Sequence, residues 1–217
     1  MALLYINKVP SSLRTAFQNE VIKICSDLGI ANPDWLMLVF YAESRINPQA
    51  QNGGSTATGL IQFLESTAND LGTTTAKLYK MNHVQQLPYV REYLRRLIIE
   101  KGKPESAYDL YFLVHSKKGF GKADDYVMYV KGSLAYKYNP LDYNSDGTVT
   151  VGEIKTFLNK ALPITYNKAN LYKSTSSSST FNTILIIGLV AVFGTATYFL
   201  AFKNGFQFIK AMIFKKK

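Results

Sequence analysis

The chain is poor in the residues that several kinds of chemistry require. Of its 217 residues, one is cysteine, two are histidine and one is tryptophan. A lone cysteine excludes an intramolecular disulfide. Cys25 lies in an apolar helical run with no histidine or acid patterned around it, so it reads as a buried, inert thiol. No alternating apolar–polar run is long enough to build a sheet, and the fold class is expected to be mainly α. The opening MALLYINKVP has no long apolar core followed by a small-residue cleavage site, so it does not read as a signal peptide. Acids are absent after residue 202, where five lysines fall; the rest of the chain carries 20 basic against 15 acidic residues. Half of the formal charge of +10 therefore lies in the tail. Such a balance suits anionic polymers or lipid headgroups as well as nucleic acid. Because the lysines cluster in a tail and not on a folded face, no nucleic-acid partner is expected.

An apolar fraction of 47% with 18% charged residues suits a folded chain. Ser11 or Ser12 can cap a helix running to about Leu28, with Leu13, Phe17, Val21, Ile24 and Leu28 on one face and Gly29 as its stop. Asn32-Pro33-Asp34 reads as cap, first-turn proline and first-turn acid of a second helix. That helix carries Trp35, Leu36, Leu38, Val39 and Ala42 and is expected to be central and buried. TTTAKLYKMNHVQQL reads as irregular or briefly helical. Pro88 to Glu100 is amphipathic, with Val90, Tyr93, Leu94, Leu97 and Ile98 inward and Arg91, Arg95, Arg96 and Glu100 outward. Further helices are expected over 105–115 and 122–138.

The stretch from Tyr41 to Gly72, YAESRINPQAQNGGSTATGLIQFLESTANDLG, organises the rest. Glu43 follows the apolar run DWLMLVFYA directly, and a loop rich in Asn, Gln, Gly, Ser and Thr separates it from a second helical pattern opening at Gly59. Desolvation at the mouth of a buried helix disfavours the charged form of a carboxyl and raises its pKa. A carboxyl tuned in that way holds a proton near neutral pH and can donate it to a leaving group.

Glu43-Ser44-Arg45-Ile46-Asn47-Pro48-Gln49-Ala50, then Thr58-Gly59-Leu60-Ile61-Gln62-Phe63, then Ser66-Thr67-Ala68, resembles the signature of lytic transglycosylases. These are lysozyme-superfamily enzymes that cleave the peptidoglycan glycan strand. The resemblance covers roughly the first 140 residues. It implies a lysozyme-like helical catalytic domain in which Glu43 is the acid/base and Ser44 belongs to the substrate-binding set. It further implies that Gly59 lets the backbone approach the sugar, that Gln62 lines the cleft and that Phe63 packs beneath it. Tyr111-Phe112-Leu113-Val114-His115, followed by Gly119-Phe120-Gly121-Lys122-Ala123, resembles the third motif of these enzymes in its phage form, with His115 where many members carry asparagine. Tyr111 and His115 are one helical turn apart and would form the opposite wall, binding substrate or orienting Glu43. His83 falls outside any motif.

Glycoside hydrolysis by two carboxylates asks for a second acid at a defined separation. Glu65, Asp70 and Asp109 are on offer and none is singled out; Glu65 and Asp70 read as solvent-facing. This fits the family mechanism, in which Glu43 protonates the glycosidic oxygen and then deprotonates the muramic acid C6 hydroxyl, giving a 1,6-anhydro product. A hydrolytic muramidase, a cellular wall-remodelling enzyme and a non-catalytic structural or glycan-binding membrane protein are the rival readings.

Residues 142–153, DYNSDGTVTVGE, fit the twelve-residue EF-hand calcium loop. Asp142, Asn144 and Asp146 supply oxygens at positions one, three and five, Thr148 a carbonyl, Thr150 a direct or water-mediated ligand and Glu153 a bidentate carboxylate, while Gly147 permits the turn. The loop stands alone, so calcium is expected as a structural clamp on the helix 154–161. A Ser-rich linker follows from Leu162 to Thr180. Asn182 to Phe202 has no charge in 21 residues, about 31 Å as a helix and enough to cross a bilayer. The tail 203–217 mixes Lys203, Lys210 and Lys215–Lys217 with Phe206, Phe208, Ile209, Met212 and Ile213, suited to an anionic membrane surface. Lysine asymmetry predicts the tail inside and the enzyme outside. Five segments result: 1–138 catalytic, 139–161 calcium-binding, 162–181 linker, 182–202 transmembrane and 203–217 basic tail. Peptidoglycan and a lipid membrane are the expected partners. Export of the domain without a signal peptide is awkward, which favours the virion of a membrane-containing phage, beside other virion proteins, over a bacterial inner membrane.

Overall fold

The computed structural model describes residues 2–53 and 55–174. The serine run, the apolar span 182–202 and the tail 203–217 lie outside the described residues, as does their expected membrane role. Met1–Lys173 make one compact unit, and it includes the 139–161 segment.

The described chain is mainly helical. Helix α1 (Arg14–Leu28) is followed by α2 (Pro33–Ser44), whose cap is the expected one: the Asn32 side chain accepts from the Asp34 N–H and Pro33 stands at the first turn. Six consecutive α2 residues, Trp35 to Phe40, are buried. A helix apolar all round must lie inside, and α2 is enclosed by α1 and α6 (Ala107–His115). Burying each large side chain contributes about 1.5–3 kcal/mol, so α2 is the most firmly held support the fold has for a reactive group.

The start of α1 departs from expectation. Leu13 occupies the cap position without a side-chain bond, because Ser11 and Ser12 belong to the turn before it. Gly29, at φ 70°, closes the helix as anticipated. The helix expected from Gly59 is also corrected. Thr58 pairs with both Gln51 and Phe63, Gly59–Gln62 is a tight turn with φ 85° and 54° at its ends, and only Glu65–Asp70 (α3) is helical. After α4 (Thr75–Tyr79), helix α5 runs His83–Lys101, starting one and a half turns earlier than Pro88 suggested. A reciprocal cap between Asn82 and Gln85 sets that start, and Pro88, exposed inside the helix, is tolerated. Helix α6 begins at Ala107 under a Ser106 cap, slightly later than expected.

The expected helix over 122–138 is replaced by strand β1 (Val127–Val130) and a short helix α7 (Leu134–Tyr138) separated by Gly132 at φ 92°. Tyr126 to Val130 is aromatic and β-branched, which favours strand. β1 pairs antiparallel with β2 (Thr148–Thr150), Tyr129 opposite Val149, so a two-stranded sheet exists where none was expected. An irregularity between Val127 and Tyr129 lets the successive residues Met128 and Tyr129 both pack on the core. Helix α8 (Val151–Lys160) follows, capped reciprocally by Thr150 and Glu153. Residues 162–174, expected to begin a flexible linker, are instead bound to the domain. The Trp35 indole N–H donates to the Asn170 carbonyl at 2.6 Å, Leu171 is buried and the Lys173 N–H donates to the Glu105 carbonyl.

Candidate active site

Glu43 is the penultimate residue of α2, where the chain emerges from the core. Arg45 and Ile46 then both take left-handed backbone, φ 56° and 63°. For a buried β-branched residue such as Ile46 this is strained, and strain of this kind persists only where surrounding structure over-determines it. The constraint here is visible. The Ile46 N–H donates to the Phe40 carbonyl, and the Ser44 hydroxyl, buried, bonds to the Phe40 and Leu60 carbonyls at 3.0 Å each. Ser44, expected among the substrate-binding residues, turns inward and ties the end of α2 to the 57–63 turn.

That turn forms one wall of a cavity of about 210 Å³ lined by Glu43, Ile61, Gln62, Phe63, Leu64, Thr67, Tyr93, Val114 and His115. Gln62 reaches the cleft while its side-chain amide donates to the Ala50 and Gly59 carbonyls. Phe63 is buried beneath it, edge-on to Tyr93 at 6.1 Å. Gly59 does not line the cavity. Its role is close packing: a Cβ there would sit 2.5 Å from Gln86 Oε1. Gln86, fully buried on α5, accepts from the Leu60 N–H at 2.9 Å and donates to the Pro48 and Leu78 carbonyls at 2.6 and 2.9 Å, clamping both limbs of the loop. A polar residue at a core position of an amphipathic helix was the available signal for it.

Among the described residues Glu43 is the only acid lining the cleft. Its Oε1 is buried without a hydrogen-bond partner, and burial pushes the carboxyl up to about 7, against a smaller opposing effect of the Tyr111 hydroxyl facing it. A desolvated carboxyl of this kind is neutral at the acid side of pH 7 and ready to donate. Glu65 is not a second catalytic acid: it is half-buried beyond the cleft and bonded by the Thr75 N–H and hydroxyl, while Asp70 is exposed and Asp109 is occupied by the Ser106 cap.

Of the two α6 residues expected on the opposite wall, His115 lines the cavity, whereas Tyr111 is buried behind it; Tyr129 from β1 reaches His115 from the other side. Tyr111 is buried with its ring stacked on His115 at 5.1 Å between centroids. Tyr111 Oη lies 3.4 Å from His115 Nδ1, and Tyr129 Oη lies 3.0 Å from Nε2. Burial pulls His115 down to about 4, so the ring is neutral. His83 packs edge-on to Phe17 in the core, and burial likewise pulls it down. Burial also pushes the Cys25 thiol up to about 12, in keeping with an inert core residue. A second cavity, about 420 Å³, lies beside Tyr5, Tyr41, Arg45 and Lys160.

At the 142–153 loop, Gly147 has the φ of 88° that position six requires. Asp142 accepts from the Asp146 and Gly147 N–H groups and Asp146 from that of Thr148, so the loop is wound about its own acids. Among the described residues no three His, Cys, Asp or Glu side chains converge as a metal cluster. Glu153 instead accepts from Thr150 and from the Tyr143 N–H. The oxygen-rich donor set still fits calcium: Asp142, Asn144 and Asp146 side chains, the Thr148 carbonyl, and Thr150 and Glu153 on release of the α8 cap. Calcium there would supply charge neutralisation and cross-linking of the loop.

No curated protein matches the chain. Residues 26–98, from the last turn of α1 to the last turn of α5 and including Glu43, Gly59, Gln62 and Phe63, match the family model described as the transglycosylase SLT domain. Tyr111, His115, Tyr129 and the 142–153 loop lie outside that match. Residues 26–98 are a transglycosylase SLT domain, of the lysozyme-like superfamily.

Proposed function

We propose that the chain is a peptidoglycan lytic transglycosylase that cleaves the glycosidic bond between N-acetylmuramic acid and N-acetylglucosamine with Glu43 as its single acid/base. The observation that carries this reading is a desolvated carboxyl with an orphaned oxygen, in a cleft where the described residues offer no second acid. Glu43 donates its proton to the glycosidic oxygen as the bond from C1 breaks. The resulting carboxylate accepts the proton of the C6 hydroxyl of the same muramic residue, and that oxygen bonds to C1. The enzyme returns to its protonated state, and no water enters. The Tyr111 hydroxyl stabilises Glu43 while it is charged, consistent with its effect on the carboxyl's pKa. Gln62 and His115 contact the saccharide, Phe63 supports the floor, and Ser44 and Gly59 act through the shape of the turn.

The calcium loop and the apolar span complete the proposal. Calcium bound at 142–153 clamps β2 and α8 onto the domain. Residues 182–202 anchor the protein in a membrane, with the basic tail inside and the enzyme facing peptidoglycan. Among the described residues no helix is long and apolar enough to cross a membrane, so the anchor rests on the sequence of 182–202 alone. Placement in the virion of a membrane-containing phage, for wall penetration, rests on the histidine-bearing third motif. The test of activity is release of soluble muropeptides from purified peptidoglycan by the full chain, beside Glu43→Gln. Release by the native chain and none by the variant supports the proposal; equal release by both, or none by either, overturns it.

A further inference from the structure

We infer that Tyr129 is a positioning residue which fixes the tautomer of His115 and thereby makes Tyr111 present its hydroxyl proton to Glu43. The inference rests on the reading of Glu43 as the acid/base, but its geometry stands apart from the match over 26–98, since Tyr111, His115 and Tyr129 all lie beyond it.

Both ring nitrogens of His115 face a phenol, Nδ1 toward Tyr111 and Nε2 toward Tyr129. The imidazole is held in place by the two rings, parallel to Tyr111 at 11° and edge-on to Tyr129 at 72°. A neutral imidazole has one N–H and one lone pair, so its two neighbours cannot both donate to it, nor both accept. A carboxylate only accepts. The Tyr111 hydroxyl faces Glu43 as well as His115, so when Glu43 is charged the stronger acceptor is the carboxylate; Tyr111 then gives its proton there, and its oxygen is left to accept from His115. That requires the proton on Nδ1, which leaves the lone pair on Nε2 and needs a donor there. Tyr129 is that donor, and it is the shorter of the two contacts. The hydrogen bonds then run one way, from Tyr129 to His115 to Tyr111 to Glu43.

The surroundings leave the chain few alternatives. The titratable groups facing it are Glu43 from α2, Tyr93 from α5, Tyr111 from α6 and Tyr129 from β1; Glu100 of α5 is paired with Lys117, and Phe157 of α8 closes the far side of Tyr111 with a ring that has no proton to give. The Ser116 hydroxyl lies beside Tyr129 and favours its charged form, as a donor to the phenol oxygen does, which leaves the phenol proton for the imidazole. Strand pairing holds Tyr129 in register, opposite Val149. Removing the Tyr129 hydroxyl frees Nε2 to carry the proton, turns Nδ1 into an acceptor for Tyr111, and leaves the charged Glu43 without its donor.

The full chain has only two histidines, which makes the tautomer readable. We would label the full-length protein with 15N-histidine, in detergent micelles, and record the ring nitrogens above about pH 8, assigning His115 by its absence in His115→Gln. The expected result is a protonated Nδ1 in the native chain and a protonated Nε2 in Tyr129→Phe. Losing a hydrogen bond to a charged group shifts a carboxyl upward by about one pH unit. The limb of the pH–rate profile belonging to Glu43 should rise by that amount in Tyr129→Phe, with kcat falling more than KM rises. A native His115 carrying its proton on Nε2 overturns the inference without any variant. So does a Tyr129→Phe protein in which neither tautomer nor pH limb moves. The outcome for function is separable: an inactive native chain that nonetheless shows the inferred tautomers removes the transglycosylase reading and leaves the hydrogen-bond order standing.

Discussion

Replacing Glu43 by glutamine should make the protein more stable, and by an amount that depends on pH. The folded carboxyl is raised from 4.5 to about 7, chiefly by burial. A carboxyl with a raised folded pKa binds its proton more tightly in the folded state than in the unfolded one. Folding is thus unpenalised at low pH, the penalty accumulates as pH rises from the unfolded value through the folded one, and it is complete above about 7. The separation is worth about 1.4 kcal/mol per unit, hence about 3 kcal/mol in all as an order of magnitude. Near pH 5 the same calculation leaves under about 1 kcal/mol. Glutamine is neutral at every pH and keeps the shape. Glu43→Gln should therefore melt several degrees above the native chain near pH 8.5, at about 2–4 °C per kcal/mol for a chain of this size. The gap should shrink to about 2–3 °C near pH 5. Differential scanning calorimetry at both pH values, with one buffer ionic strength, measures it. A gap that is absent, or equal at the two pH values, would refute the argument that desolvation tunes this carboxyl.

Other outcomes follow from the same contacts. Gly59→Ala places a Cβ 2.5 Å from Gln86 Oε1 at a φ of 85°, and should cost about 2–4 kcal/mol and lower activity together with Tm; an unchanged Tm in thermal denaturation would contradict the clamp. Calcium at about a hundredfold its Kd should stabilise the chain by about 2.7 kcal/mol, and Glu153→Gln should lose most of that gain in the same melt; a melt indifferent to calcium and chelator would remove the calcium proposal. Cys25 should resist iodoacetamide in the native chain and react only after unfolding, as intact mass will show, because its thiol is buried and pushed up to about 12.

Much of this was legible where local chemistry and tertiary need coincide. Asn32-Pro33-Asp34 starts α2, and the apolar run behind it makes that helix central. Glu43 could be placed at the edge of the core before any coordinates. The 59–63 segment was misread because its apolar spacing is helical, whereas a glycine and Gln62 in left-handed backbone make it a turn; a pattern of hydrophobicity does not report φ. Pro88 misled because a reciprocal cap six residues earlier outweighs a proline tolerated on an exposed face. β1 was missed since a four-residue strand has no periodicity to detect, and with it went Tyr129, which no local signal could connect to His115. Gln86 carried a signal, a polar side chain on a buried face, whose meaning depends on the three backbone groups that the loop folds against it. Residues 162–174 are polar yet not free, because Trp35 anchors the Asn170 carbonyl, Leu171 is buried and the Lys173 N–H bonds to Glu105.

The central claim is that one carboxyl both gives and takes the proton, with no water in the step. The mass of the muropeptides released from purified peptidoglycan by the full chain tests it most directly, with Glu43→Gln beside it. The account predicts 1,6-anhydro-muramic ends from the native chain and no products from the variant. Reducing ends, lying one water heavier, would contradict it, since water and not the C6 hydroxyl would then have given its proton and attacked C1.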